Sequence, residues 1–275
     1  MPFSKRIKSI PFFNYRRISR SIIHAPELTP EDVMLVSYPR SGNTWVRNII
    51  AHILYDDLWN ISLIDLNRLV PDIYKGIPKY FHYSTPRVIK SHQPFSFRHE
   101  RTNCSLYQKN IYVIRHPYDV LRSFYHYQLH VWSDKWDIYH SIAQFAHIWV
   151  NGSFRFGSWQ EHVLSWYAMK DEIEVLFIKY EDLQQELEST ILKIATFLGK
   201  SLNNAKVSEI IEKSSRAAMK TAEKLGTPVN RDFQFIRQQG NRLDPSSDLT
   251  PDLKQLIANH SRIAMDLFGY NDDHP

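Results

Sequence analysis

The sequence contains a single cysteine, Cys104, among its 275 residues. One cysteine cannot form a disulfide within the chain, and it cannot build a metal site based on several cysteines. Because disulfides are typical of oxidising compartments, this composition suits the reducing cytoplasm, where we expect the protein to be located. No other cluster of metal-ligand residues is evident, and we expect no metal.

Long apolar runs are also missing. No segment approaches the ~20 apolar residues that a membrane-spanning helix needs, and the N-terminus lacks the apolar segment of a secretory signal. The sequence shows no internal repeat and no long linker rich in glycine or serine. We therefore predict a single domain with no transmembrane segment.

The formal net charge is +5, which suits an anionic ligand: a nucleotide, a nucleic acid or a membrane surface. Many basic residues lie in Lys5–Arg20, KRIKSIPFFNYRRISR. We interpret residues 1–30 as a basic N-terminal arm and residues 31–275 as the folded domain. The arm is most simply a solvated segment, although peripheral contact with an anionic membrane stays open. The oligomeric state is not predicted.

Alternating strand and helix patterns predict an α/β fold with a central parallel sheet flanked by helices. Such sheets bind ligands beyond the carboxyl ends of their strands. The predicted strands are Asp32–Tyr38, Arg87–Ser91, Asn110–Arg115 and Glu174–Lys179. Predicted helices cover Trp45–Leu54, Ser158–Met169 and Leu183–Leu198, and two more begin at Pro117 and after Thr250.

The segment Ser37–Trp45, SYPRSGNTW, joins the first strand to a helix start. Backbone N–H groups at such a start attract anions. Gly42 allows the backbone to approach a phosphate closely, and Arg40 adds charge-assisted bonds. The segment is therefore a candidate P-loop-like phosphate cradle. It is not a Walker A loop, because it has one glycine and no following lysine.

SYPRSGNTW resembles the 5′-phosphosulfate loop of cytosolic-type sulfotransferases, which usually reads YPKSGTTW. Here Arg40 replaces the lysine and Asn43 replaces a threonine. These enzymes transfer a sulfuryl group from 3′-phosphoadenosine 5′-phosphosulfate (PAPS) to an acceptor by direct in-line transfer. The resemblance implies that the loop binds the 5′-phosphosulfate and that Arg40 helps to neutralise the leaving phosphate. The loop residues concerned are Arg40, Ser41, Gly42, Asn43, Thr44 and Trp45.

Two further segments extend this resemblance. Arg115 ends a predicted strand in YVIRHPYDVLRSFYHY, and Ser123 follows eight residues later, as in the family's 3′-phosphate segment. RVIKSHQP resembles the family's strand followed by Lys-Thr/Ser-His, so that His92 would be the catalytic base and Lys90 would contact the sulfuryl group. Elementary chemistry agrees, because a histidine has a suitable pKa to accept an acceptor hydroxyl proton.

More distant matches are weaker. VLFIKYEDL resembles the family's Tyr-Glu-Asp region, which implies that Tyr180 faces the adenine and that Trp45 stacks on it. Ser214 and Ser215, in KSSRAAMK, are candidates for the segment near the adenine. FIRQQGNR retains an arginine, Arg237, of the family's Arg-Lys-Gly motif, and this residue is expected to bind the 3′-phosphate. Arg242 is a further candidate for the missing charge.

These observations predict a PAPS-dependent sulfotransferase that acts on a hydroxyl of a small-molecule, lipid or sugar acceptor. One alternative is a nucleotide kinase or another nucleoside-triphosphate enzyme, which the missing Walker lysine disfavours. A second is a non-enzymatic anion-binding or nucleic-acid-binding protein, although no concentrated basic and aromatic run supports nucleic acid as a partner. The weaker candidates for the base are His116, His126 and His130.

Overall fold

A computed structural model describes residues 28–56, 58, 61–77, 82–95, 108–131, 141–225 and 249–274. Within these ranges four strands form one parallel sheet in the order β2-β1-β3-β4. The strands are β1 (Val33–Ser37), β2 (Val88–Ser91), β3 (Lys109–Ile114) and β4 (Glu174–Lys179). The predicted fold class is confirmed, and each predicted strand lies within one or two residues of its observed bounds.

Helices cover both faces of the sheet. Successive residues of a strand point to opposite faces, and both faces carry apolar side chains that need burial. Met34 and Val36 belong to one apolar cluster, whereas Val33 and Leu35 belong to the other. The first face packs against α3 (Pro117–Val131), α4 (Ile142–Val150), α5 (Trp159–Tyr167) and α10 (Pro251–Phe268). The second face packs against α1 (Asn43–Leu54), α2 (Leu63–Leu69), α6 (Tyr180–Gln185), α7 (Leu187–Phe197) and α8 (Asn204–Lys213). The remaining helix of this part of the chain, α9 (Arg216–Leu225), follows α8.

Helix starts agree well with the sequence signals. Thr250 caps α10, since its side chain accepts a hydrogen bond from the main-chain N–H of Leu253. Ser158 and Glu161 form a reciprocal capping box at the start of α5. These local interactions depend only on residues three positions apart, which explains why the sequence reveals them.

The predicted single helix Leu183–Leu198 is wrong. The chain instead forms α6 and α7, which are separated at Glu186, where φ is −133° and ψ is 48°. A residue with these angles cannot continue an α-helix. The apolar stripe that suggested one helix is real in α7, where Ile191, Ile194 and Ala195 are buried, but it does not reveal a break of one residue.

Candidate functional site

The carboxyl ends of the four parallel strands lie at one edge of the sheet, and a predicted site segment follows each of them. Residues 40–45 follow β1, His92 follows β2, Arg115 follows β3 and Tyr180 follows β4. The strand register places Val36 beside Ser91 and Ser37 beside Val113, so the ends are adjacent. The sheet therefore brings together segments that are far apart in the sequence, as is usual for ligand sites in such folds.

The loop after β1 has an unusual backbone. Arg40 has a φ of 75° and Gly42 has a φ of 98°. A positive φ is uncommon for a residue other than glycine, and strained residues of this kind cluster at functional sites. The Nε atom of Arg40 donates a hydrogen bond to Ser123 Oγ at 3.1 Å. The structure thus brings two predicted phosphate-binding residues into direct contact.

Tyr180 packs against three of the predicted binding residues. A Cβ atom on Gly42 would overlap the Tyr180 ring, so only glycine fits beside it. The Cζ atom of Arg115 lies 4.3 Å from the centre of the same ring. Trp45 meets the ring edge-on, with ring centres 5.7 Å apart. Arg216, which the sequence interpretation missed although it lies in KSSRAAMK, donates a hydrogen bond to the Tyr180 hydroxyl at 3.4 Å.

Several predicted binding residues have a buried polar atom that makes no hydrogen bond within the described ranges. An unpaired buried polar group costs about 1–3 kcal/mol, so native proteins rarely leave one without a ligand or water. Binding of a polar ligand at this edge of the sheet is one way for such atoms to gain partners. The atoms are Ser41 Oγ, Asn43 Oδ1, Trp45 Nε1, Arg115 Nε and Ser214 Oγ.

His92 has a defined tautomer. Its Nδ1 atom lies 2.7 Å from the main-chain oxygen of Ser37. Since a carbonyl oxygen can only accept, Nδ1 carries the proton and Nε2 keeps its lone pair. Burial, and then the nearby charge of Lys90, lower the pKa of His92 well below its usual value. The ring is therefore neutral at pH 7 and able to accept a proton at Nε2.

The surroundings hold His92 in place. Its main-chain N–H donates to the Tyr74 hydroxyl at 3.1 Å, and its main-chain oxygen accepts from His162 Nε2 at 3.1 Å. The Phe156 ring lies 5.8 Å from the imidazole, centre to centre. Tyr74 and Phe156 carry no local sequence signal that connects them with His92, because their proximity arises only in the folded chain.

Lys90 forms a buried ion pair at the end of β2. Its Nζ atom lies 2.8 Å from Asp72 Oδ2, and the residue is 8% exposed. Burial lowers the pKa of Lys90 to about 8, although the Asp72 carboxylate acts in the opposite direction. A lysine with such a pKa is mostly charged at pH 7 and loses its charge under mildly alkaline conditions.

Arg115 is held by its neighbours. Its Nη2 atom donates to Asp119 Oδ2 at 3.0 Å, and its Nη1 atom donates to the main-chain oxygen of Arg40 at 3.5 Å. The guanidinium therefore connects the loop after β1 with the start of α3. Asp119 was not selected from the sequence; it lies in the first turn of α3, four residues after Arg115.

The alternative histidines differ from His92. His116 uses both ring nitrogens within the protein: Nε2 donates to the main-chain oxygen of Asn271 at 3.0 Å, and Nδ1 accepts from the N–H of Tyr118 at 3.3 Å. Burial lowers its pKa to about 4. His126 is 5% exposed. The side chain of His130 lies outside the described residues.

The remaining predicted residues have mixed outcomes. Ser214 is fully buried at the end of α8, whereas the hydroxyl of Ser215 accepts a hydrogen bond from the N–H of Ala218 and supports the start of α9. Thr44 lies half-buried in the first turn of α1. Arg237, Arg242 and residues 1–27 of the predicted arm lie outside the described ranges.

The described residues contain neither a candidate metal cluster nor a helix that could span a membrane. In the ranges given above, no three or more histidine, cysteine or acidic side chains are grouped so that they could hold a metal ion. No helix in that part of the chain is both long enough and apolar enough to cross a membrane.

A family model and several known proteins match most of this chain. A family model described as a sulfotransferase domain matches residues 30–269. Sulfotransferase 1B1 of Canis lupus familiaris is 31% identical over 207 residues, which cover 70% of this chain and 67% of that protein. Sulfotransferase 1A1 of Bos taurus is 29% identical, with 80% and 76% covered. The amine sulfotransferase of Oryctolagus cuniculus is 31% identical, with 70% and 64% covered.

Solved structures have the same fold. Mouse sulfotransferase SULT7A1 complexed with PAP superimposes with a TM-score of 0.62 and 24% identity, covering 92% of this chain and 94% of that one. Retinol dehydratase in complex with androsterone and inactive cofactor PAP gives a TM-score of 0.63 and 19% identity, covering 88% and 83%.

Proposed function

The chain belongs to the sulfotransferase family, and we propose that it transfers a sulfuryl group from PAPS to a hydroxyl group of an acceptor. The observation that carries this proposal is the arrangement at the sheet edge: a neutral His92 with a free Nε2 lone pair follows β2, next to the loop after β1 that has unpaired buried polar atoms. PAPS supplies the sulfuryl group, and the remaining 3′-phosphoadenosine 5′-phosphate (PAP) is the leaving group.

The residues at the sheet edge fit a nucleotide with two phosphate groups. We propose that residues 40–45 bind the 5′-phosphosulfate, because this loop combines a helix start, a glycine that Tyr180 requires and a guanidinium. Arg115, Ser123 and Arg237 would bind the 3′-phosphate. Tyr180, Trp45 and Ser214 would border the adenine.

His92 would act as the general base. The hydrogen bond from Nδ1 to Ser37 leaves Nε2 as the atom that accepts the proton of the acceptor hydroxyl. Asn43 Nδ2 donates to Ser37 Oγ at 3.1 Å, which holds this part of β1 in place. The lone pair is thus oriented by the end of a strand rather than by a flexible loop.

Lys90 and Arg40 would stabilise the oxygens of the sulfuryl group and the leaving phosphate during in-line transfer. Preoriented positive charges of this kind act most strongly where water is excluded. Lys90 meets that condition, since it is buried and paired with Asp72. The charge of Asp72 keeps the ammonium group oriented and partly offsets the effect of burial on its pKa.

We further propose an acceptor class, a location and a domain boundary. We expect a small-molecule, lipid or sugar hydroxyl acceptor rather than nucleic acid, a cytoplasmic location, and a basic arm at residues 1–30 that is separate from the domain at 31–275. One relative carries the name amine sulfotransferase, so amines belong in any acceptor screen. The missing Walker lysine also leads us to propose that turnover needs no divalent ion.

The direct test is a transfer assay with labelled PAPS and a panel of phenols, sterols, sugars and amines. His92→Ala should reduce turnover about 100- to 10,000-fold while leaving PAP binding nearly unchanged. His147→Ala, on the exposed side of α4, is the matched control and should retain wild-type turnover. More than half of wild-type turnover in His92→Ala would assign the base elsewhere.

The same assay separates the kinase alternative. Wild-type protein is assayed with PAPS in excess chelator, and in parallel with ATP and magnesium. We expect transfer from PAPS in the presence of chelator and no phosphoryl transfer from ATP. Loss of all activity in chelator, restored by magnesium, would contradict the proposal that no divalent ion is needed.

A further inference from the structure

Arg155 lies in the segment between α4 and α5, and its guanidinium packs over two aromatic rings. Its Cζ atom is 4.7 Å from the centre of the Tyr74 ring and 5.4 Å from the centre of the Phe156 ring. The residue itself is exposed to solvent. The two rings are 6.1 Å apart, centre to centre, so they form a short aromatic wall beneath the guanidinium.

This aromatic wall (Tyr74 and Phe156) is the same one that borders His92. The Tyr74 hydroxyl accepts the main-chain N–H of His92 at 3.1 Å, and the Phe156 ring lies 5.8 Å from the imidazole. Arg155 and the proposed base therefore both lie against the Phe156 ring. A molecule that presents its hydroxyl to His92 along this wall would extend towards Arg155.

The charge of Arg155 differs from the charges of Lys90 and Arg115 in having no acidic partner among the described residues. Lys90 is paired with Asp72, and Arg115 is paired with Asp119. In the ranges that the structure describes, no carboxylate lies within ion-pair distance of Arg155. A guanidinium that lies over aromatic rings keeps N–H groups that can form bidentate bonds to an anion.

We propose that Arg155 forms an anion-binding subsite for the acceptor. The acceptor would carry a carboxylate or phosphate group about one aromatic ring away from the hydroxyl that receives the sulfuryl group. The Tyr74–Phe156 wall would contact the apolar body of the acceptor, and Arg155 would bind its acidic end. This inference rests on the proposed function, because it takes the reacting hydroxyl to lie at His92.

The test compares two ligands that differ only in charge: 3-(4-hydroxyphenyl)propionate and its primary amide. Calorimetry in the presence of PAP measures their binding to the wild type, Arg155→Met, Arg155→Lys and Lys193→Met. Methionine retains an unbranched apolar side chain without the charge. Lys193 is exposed on α7, so its replacement controls for the loss of one surface charge. Transfer from labelled PAPS to both ligands is measured in parallel.

We expect the acid to bind the wild type about 10-fold more tightly than the amide, which is the scale of one exposed charge-assisted contact. The ratio should fall to near one in Arg155→Met, fall only in part in Arg155→Lys, and stay unchanged in Lys193→Met. Equal binding of acid and amide to the wild type, no binding of the acid, or a ratio that persists in Arg155→Met would overturn the inference.

These outcomes are separable from failure of the proposed function. Sulfuryl transfer to other acceptors, without any preference for the acid, would contradict only the subsite. A preference that disappears in Arg155→Met, without sulfuryl transfer to any acceptor, would support the anion subsite and contradict the transferase. If Arg155 served only to pack on the two rings, Arg155→Met would lower thermal stability and leave the acid-to-amide ratio unchanged.

Discussion

The Nζ atom of Lys90 lies 2.8 Å from the Oδ2 atom of Asp72, and both side chains are about nine-tenths buried. The pair joins the end of β2 to the segment after α2, next to the proposed base. An ion pair in such a position is costly to desolvate, and breaking it leaves an uncompensated buried charge. In the proposed mechanism, Asp72 holds the lysine charge beside His92.

The first prediction concerns the pH dependence of catalysis. Since burial lowers the pKa of Lys90 to about 8, the ammonium is present below that pH and is lost as the pH rises through it. We expect kcat/KM for PAPS to fall above about pH 8. Asp72→Asn removes the charge that supports the ammonium, so the alkaline decline should begin at a pH about one unit lower.

Two further variants test the assignment of this decline. Lys90→Arg keeps its charge, so the alkaline decline should disappear even if the maximal rate is lower. Asp65→Asn removes the carboxylate of the exposed Arg68–Asp65 pair and should leave the profile unchanged. Loss of one buried partner costs about 3–5 kcal/mol of unfolding free energy. Circular dichroism of each variant therefore checks that it is folded. An unchanged decline in Lys90→Arg would assign it to another group.

The second prediction concerns the 3′-phosphate. Arg115→Ala should weaken binding of PAP by about 30- to 150-fold, which corresponds to the loss of about 2–3 kcal/mol from a charged hydrogen bond. Binding of adenosine 5′-phosphate, which lacks the 3′-phosphate, should change little. Calorimetry with both nucleotides measures the difference. The control is Arg262→Ala, an arginine on α10 with its own acidic partner, Asp272. Equal weakening of both nucleotides would contradict the assignment.

The third prediction concerns Gly42, whose φ is 98° and whose missing Cβ leaves space for the Tyr180 ring. Gly42→Ala adds both backbone strain and a clash with that ring. Gly199→Ala is the matched control, because Gly199 has a φ of +70° with no atom within 4 Å of the added Cβ. Both variants should lose about 1 kcal/mol or more of unfolding free energy.

Only Gly42→Ala should also weaken PAP binding, by about 10-fold or more, since a displaced Tyr180 no longer supports Arg115. Urea unfolding and PAP titration of the two variants measure both effects. A similar PAP affinity in the two variants would show that Tyr180 does not position the nucleotide-binding residues.

The fourth prediction concerns acid stability. Burial lowers the pKa values of His116 and His162 to about 4, below the value of about 6.5 for an unfolded chain. Between these values the unfolded state binds more protons, so the unfolding free energy falls as the pH decreases from 6.5 to 4. A complete shift of this size corresponds to roughly 3 kcal/mol for one histidine.

Urea unfolding of the wild type and His162→Gln at pH 7, 6 and 5 measures this effect. The variant should be less stable at pH 7, because it loses the hydrogen bond between Tyr112 and the imidazole, but it should lose less stability on acidification. His260→Gln, at an exposed position of α10, is the control. Parallel stability curves for the wild type and His162→Gln would contradict the role of burial at His162.

Local patterns in the sequence predicted the four strands and the starts of α3, α5 and α10. Each strand run has the length and residue types of a buried strand, and caps such as Thr250 involve residues three positions apart. The same holds for the proposed anion-binding loop at 40–45, where a strand, a short turn and a helix start follow one another in the sequence. Arg216 and Asp119 also lie within segments that the sequence singled out.

The tertiary structure alone determined which of these segments meet and which new residues join them. The strand order β2-β1-β3-β4 places His92 beside Ser37, Lys90 beside Asp72, Gly42 beneath Tyr180, and Arg155 over Tyr74. The sequence carries no local signal for such pairs, because side-chain periodicity reports which face of an element is buried and not which distant element covers it. The tautomer of His92 and the pKa of Lys90 depend on these contacts, since both follow from burial and from neighbours that only the folded chain provides.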